Sequence, residues 1–154
     1  MSSGHKFDER SDLDTAVDLW ISDPDRATND YGNINTWDVS EITDFSYLFS
    51  DESTFNSDIS GWDVSSGENF HGMFLRANKF NQDIGDWDVS SGNDFGYMFY
   101  NADAFNEDIG DWNVSFGTNF AYMFYKAVAF DQNIGNWNVS SGNNFVAMFY
   151  GADA

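Results

Sequence analysis

The chain has no cysteine, only six Lys and Arg, two histidines and a single proline in 154 residues. Without cysteine there is no disulfide framework and no thiol metal site. Repeat proteins of oxidising compartments do not require disulfides, so the compartment stays open. Clustered basic residues, which binding to phosphates needs, do not occur. Between Phe80 and Tyr125 there are eight acidic residues and no Lys or Arg. Nucleic acid and anionic membrane surfaces are therefore poor partners, and no nucleic-acid partner is expected. No apolar run approaches the roughly 20 residues of a membrane span, so direct membrane insertion is excluded as well. The opening Met1–Lys6 lacks the apolar core of a secretory signal. The chain is thus expected to be either intracellular or a fragment whose signal lies elsewhere. The glycines are spread one per stretch rather than gathered into a phosphate loop. Catalysis finds no constellation: His5 and His71 are far apart in the chain, and carboxylates are too abundant for any pair to be informative. No enzyme is expected.

What is present is acid and aromatic. Asp and Glu number 26, the formal net charge is -20, and aromatic residues make up 19%. The charge alone would suggest disorder; the aromatic content argues for a real core. Cations, basic proteins and neutral polar ligands remain as partners.

The aromatics are periodic. Trp37, Trp62, Trp87, Trp112 and Trp137 stand 25 residues apart. A period of about 20–50 residues marks a repeat array, and its length predicts five units over residues 31–154, the last truncated. Ile34, Ile59, Ile84, Ile109 and Ile134 lie three residues before each Trp, and Val39, Val64, Val89, Val114 and Val139 two after. Ile-x-x-Trp-x-Val has the spacing of a leucine-rich repeat, and Trp-x-Val reads as a short strand with one buried face. Gly67, Gly92, Gly117 and Gly142 follow at one position, which implies positive φ or close backbone approach. Phe70, Met73, Phe74 and Ala77 then fall at i, i+3, i+4 and i+7, as do their counterparts from Phe95 and Phe120. That is the stripe of a short helix. A last ladder is Phe55, Phe80, Phe105 and Phe130. The ladders take 14 of 16 Phe and five of six Trp, so stability must come from stacking of neighbours.

The predicted fold is an α/β leucine-rich-repeat-like right-handed solenoid, with short parallel strands on one face and short helices on the other. Residues 1–30 form a tail and a capping helix. In that helix Ser11 is the expected N-cap, Leu13, Ala16, Val17, Trp20 and Ile21 the apolar face, and Asp23-Pro24 the stop. The chain halts inside a unit at Phe149–Ala154. It is read as a fragment of a longer array, able to self-associate through its uncapped C-terminal coil.

The string Phe105–Ser115, followed by Asn119–Phe124, resembles the tandem repeat of BspA-like leucine-rich-repeat surface proteins. The resemblance covers about residues 31–154. It implies a leucine-rich-repeat fold, a cell-surface or extracellular setting, and a role in adhesion or surface recognition. The chain departs from it in reading Gly67-Glu68-Asn69-Phe70 where such units often have Val-Thr-Asn-Met.

Two surfaces are candidate sites. Beside Trp and Val, outward positions include Asp63, Asp86, Asp88, Asp111, Asn113, Asn136 and Asn138. On strands about 4.8 Å apart, the column Asp38, Asp63 and Asp88 would repel by about 1 kcal/mol per pair in water and about 3–4 kcal/mol at an effective dielectric near 20. Bound Ca²⁺ would relieve this; so would water, serine hydroxyls and raised carboxyl pKa values, the expected outcome, with no cofactor required. No complete calcium loop is present. The second surface is Tyr97, Tyr100, Tyr122 and Tyr125, off the inward stripe and expected on the convex face. Asn56, Asn81, Asn106 and Asp131 are assigned a structural job, bonding backbone across coils. The function read from all this is a non-catalytic scaffold recognising a protein or a glycan. A structural spacer within a larger surface protein and a Ca²⁺-dependent module are the alternatives.

Overall fold

A computed structural model describes residues 4–154. The N-terminal segment is helical: α1 spans Arg10–Ser22 and α2 spans Pro24–Tyr31. Leu13, Ala16 and Val17 of α1 are buried against the first unit, whereas Ile21 is exposed at the rim. The capping expectation needs correction. Glu9 is the N-cap and makes no side-chain cap bond, and Ser11 lies inside the helix. Asp23 ends α1 as expected, but its carboxylate also accepts the Arg26 amide at 3.0 Å and so caps α2, which the reading of residues 1–30 omitted. Pro24 at the first helical position loses no bond there.

From Ile34 onward the predicted α/β solenoid is not what forms. Among the described residues there is one 3₁₀ turn, Ile34–Thr36, and no further helix and no strand. The β-type pairing consists of single-residue parallel bridges, Lys6 with Asp38 and then Asp44, Asn69, Asp94, Asn119 and Asn144 in succession. The bridges from Asp44 to Asn144 stand just ahead of the stretches predicted to be helices; Asp38, paired with Lys6, is the one bridge residue in a predicted strand among the described residues.

The physical reason lies in the backbone. Within Phe70–Arg76, alternate amides reach forward to the next unit: Phe70 N–H donates to Asp94 O (2.9 Å), Gly72 to Gly96 O (2.8 Å), Phe74 to Met98 O (2.9 Å) and Arg76 to Tyr100 O (2.7 Å). The same four bonds recur at each of four junctions, beginning with Phe45, Tyr47, Phe49 and Asp51. Amides committed between units are not available for i→i-4 bonds. The chain turns instead at left-handed residues, one column being Tyr47, Gly72, Tyr97, Tyr122 and Ala147, and another Asp51, Arg76, Asn101, Lys126 and Gly151. A left-handed residue every fourth position ends any helix before it starts.

The buried stripes are nevertheless as spaced. Phe70, Met73, Phe74 and Ala77 are fully buried, as are Phe95, Met98, Phe99 and Ala102. Trp62, Trp87 and Trp112 are buried at equivalent places, each indole N–H donating to the carbonyl of the isoleucine one unit earlier: Ile34, Ile59 and Ile84. Gly67 and Gly92 need no positive φ. A Cβ on either would lie 2.5 Å from its unit's own Phe70 or Phe95 ring, so close approach is the constraint.

Equivalent rings of successive units stack at different separations. Spacing is 4.6 Å for Tyr100–Tyr125, 5.6 Å for Phe74–Phe99 and 6.4 Å for Trp37–Trp62. Backbone pairing needs strands about 4.8 Å apart. Inter-unit backbone bonds run through Phe70–Arg76 and its equivalents, and none joins the Trp-x-Val segments of successive units. The tyrosines therefore lie on the side where the units are bonded backbone to backbone.

Candidate functional site

The Trp-x-Val edge carries the acid. Residues 31–42, 56–67, 81–92, 106–117 and 131–142 hold eleven carboxylates and no Lys or Arg. Asp63, Asp86, Asp88, Asp111, Asn113, Asn136 and Asn138 are all exposed there. Most of the column faces its own backbone. Asp38 accepts the Ser40 amide (3.1 Å) and hydroxyl (2.6 Å), and Asp63 accepts the same pair from Ser65 at 3.1 and 2.6 Å. Asp88, Asn113 and Asn138 each accept the amide two residues on. The Ser40 hydroxyl and amide hold the Asp38 carboxyl below its usual range, and the Ser90 hydroxyl and amide do the same to Asp88. Repulsion is thus met by local donors, and the Asp38 and Asp88 carboxyls shift down, where the sequence reading expected a rise. Among the described residues no three His, Asp or Glu side chains converge on a common point.

The Asn column does what its spacing suggested. Asn81 N–H donates to Asn56 Oδ1 (2.9 Å), Asn106 N–H to Asn81 Oδ1 (2.8 Å) and Asp131 N–H to Asn106 Oδ1 (2.8 Å). Each Asn therefore ties its unit to the next.

The tyrosine face is the second candidate, and the geometry brings its members together. Tyr97 stacks on Tyr122 at 4.7 Å, Tyr100 on Tyr125 at 4.6 Å, and Tyr125 on Tyr150 at 5.1 Å. Tyr97, Tyr100, Tyr122 and Tyr125 are half-exposed. Because the rings cover one another, they show solvent their edges and hydroxyls rather than their faces. Two residues missed in the sequence complete the strip. Tyr47, 52% exposed, and His71 continue the Tyr97 row, with ring centroids 5.4 Å apart and His71 5.2 Å from Tyr97. Tyr47 stands two 25-residue periods before Tyr97, so the period itself pointed to it. His71 Nδ1 lies 3.0 Å from Asp94 Oδ1, which also accepts the Gly96 amide and the Asn119 side chain. Burial pushes the Tyr97 phenol up, with Tyr122, Tyr100 and Tyr47 adding to it, so it stays a neutral donor. Arg76 bonds Asp51 at 3.0 Å beside the strip, and the Lys126 ammonium sits 5.6 Å above the Tyr125 ring.

Compared with known sequences, the chain matches the family described as "Mycoplasma protein of unknown function, DUF285" over residues 25–117 and again over 95–154. The chain belongs to this family. The matched stretches take in α2 from its second residue and every repeat. No curated protein and no solved structure matches it. Among the described residues of this DUF285 chain, no helix is long and apolar enough to cross a membrane.

Proposed function

We propose that this DUF285 chain is a non-catalytic recognition scaffold that presents its tyrosine strip to a protein partner, in the manner of a surface-interaction or adhesion module. The observation that carries this reading is the ordered stack Tyr97–Tyr122 and Tyr100–Tyr125–Tyr150 on an otherwise acidic array. Interface cores are enriched in Tyr and depleted of charge. Rings already held by their neighbours lose little rotamer freedom on binding. Edges and hydroxyls suit a polypeptide surface rich in carbonyl acceptors, whereas a sugar stacking on a ring needs an open face. The net charge of -20 favours a basic partner and speeds its approach. Placement at a cell surface is part of the same proposal and rests on the resemblance to BspA-like surface repeats.

The test is selection of a displayed peptide library on the immobilised chain, followed by counter-screening on the double variant Tyr100→Ser/Tyr125→Ser. Enriched peptides should be rich in Arg or Lys, bind more weakly as salt rises, and lose at least about tenfold in affinity on the variant. Peptides that bind both proteins equally would place recognition elsewhere and end this reading.

A further inference from the structure

Where the helical pair meets the first unit there is an open groove of about 220 Å³. Trp20, Ile21 and Pro24 wall one side, and Thr54, Asn56 and Ser57 the other. No charged residue lines it, in a chain with 26 carboxylates. The groove interrupts the Asn ladder. In each later unit, the amide of this column donates to the side-chain oxygen of the Asn one unit earlier. One period before Asn56 stands Tyr31, the last residue of α2, which has no such oxygen. The Asn56 N–H has no partner among the described residues, and the register of its column directs it toward the helical pair. The Asn56 N–H is thus a free donor in the column where each later amide meets an Asn side-chain oxygen.

The rest of the groove narrows the ligand. The Trp20 indole N–H is already used, donating to Ser57 Oγ at 2.9 Å, so Trp20 offers apolar surface only. Ser57, having accepted that bond, still has its own O–H to donate. Thr54 adds a second exposed hydroxyl. The volume is roughly seven water volumes and lies below the roughly 300–1,000 Å³ typical of drug-sized sites, which suits one ring.

We infer that this groove binds a single N-acetylated hexose unit of a glycan, its acetamido carbonyl accepting the Asn56 N–H in the place where the repeat otherwise inserts an Asn side chain. The acetamido methyl lies against Ile21 and Pro24, and the ring hydroxyls meet Thr54 and Ser57. The site is independent of the tyrosine strip.

The test uses the ¹⁵N-labelled 154-residue chain, titrated separately with N-acetylglucosamine, glucose and the tripeptide acetyl-Gly-Asn-Gly-amide. The Asn56 amide and Trp20 indole signals should shift saturably with N-acetylglucosamine, with a Kd on the order of a millimolar for so small a ligand. Glucose should bind at least about tenfold more weakly. Thr54→Arg and, separately, Ile21→Arg should abolish the shifts while keeping a folded spectrum, since both residues are exposed. Tyr100→Ser/Tyr125→Ser should leave them intact, which separates this site from the tyrosine strip. Three results overturn the proposal: no shift at Asn56, equal binding of glucose, or tighter binding of the tripeptide, which would make the groove a peptide site.

Discussion

At the residue scale, small polar side chains do the work usually given to regular secondary structure. Asx-type bonds from residue i to the amide at i+2 occur at Asp38, Asp58, Asp83, Asp94 and Asp108, among others. They turn the chain where no helix or sheet ladder supports it. Asp38 is the best-defined case. Its folded-state pKa is depressed, first by the Ser40 hydroxyl and then by the Ser40 amide. A depressed carboxyl contributes stability that is present above the unfolded pKa and is lost as pH falls through the folded value. Ser40→Ala should therefore lower the urea midpoint at pH 7, and the difference from wild type should shrink as the pH is taken below the usual carboxylate range. A constant difference across the titration would mean the hydroxyl acts by packing alone. Trp87 tests the core at the same scale. Trp87→Ala leaves a cavity and removes one of the two N–H donors to the Ile59 carbonyl, for an expected loss of about 3–5 kcal/mol in denaturant unfolding.

At the element scale, the four bonds that cross each junction through Phe70–Arg76 and its equivalents run one way. There amides point toward the C-terminal unit and carbonyls toward the N-terminal one, whereas the amides of Glu68 and Asn69 and their equivalents point back to the unit before. The first row of carbonyls faces α1, where the Arg10 guanidinium donates to Asp44 O and Ser46 O, both at 2.7 Å, and to Asp14 Oδ1, also at 2.7 Å. One planar fork thus takes up the first two carbonyls of the row. Arg10→Ala should cost about 2–3 kcal/mol by chemical denaturation. Arg10→Lys should recover less than half of that, because a single ammonium does not span both carbonyls. Full rescue by lysine would show that charge alone matters. None of this polarity was legible in the sequence. The period, the buried stripes and the Asn column were, because they depend on side-chain identity at fixed spacing. The helices assigned from Phe70, Met73, Phe74 and Ala77 failed because the same i, i+3, i+4, i+7 stripe arises from a chain of turns with left-handed residues at Gly72 and Arg76. Tyrosine and arginine in left-handed positions give no signal to a propensity argument. The α2 helix was legible in Asp23-Pro24, a capping residue followed by proline at the first helical position, but the pair also serves as a stop. The tyrosines were legible as a surface and not as a stack, since ring orientation depends on how closely the backbones of successive units are bonded.

At the scale of the whole molecule, the two ends of the array differ. Arg10 and α1 cover the first unit, whereas in the last unit Phe145, Phe149 and Tyr150 are 40–63% exposed. Beside them Ile134, Trp137, Val139 and Met148 complete an apolar hollow of about 230 Å³. Contiguous apolar surface of this kind drives association. Two copies meeting tail to tail would each offer the amides of Phe145, Ala147, Phe149 and Gly151, donors that cannot bond one another. What remains is side-chain burial, opposed by the repulsion of two molecules carrying -20 each. Salt decides between these terms, because the Debye length falls from about 30 Å at 0.01 M to about 10 Å at 0.1 M and burial is not screened. The 154-residue chain should sediment as a monomer at low ionic strength and pass reversibly toward dimer as NaCl is raised. Phe145→Ser/Phe149→Ser should keep it monomeric throughout. If the chain stays monomeric at every salt concentration, the exposed hollow is not adhesive; if the double variant associates as wild type does, the contact lies on another face.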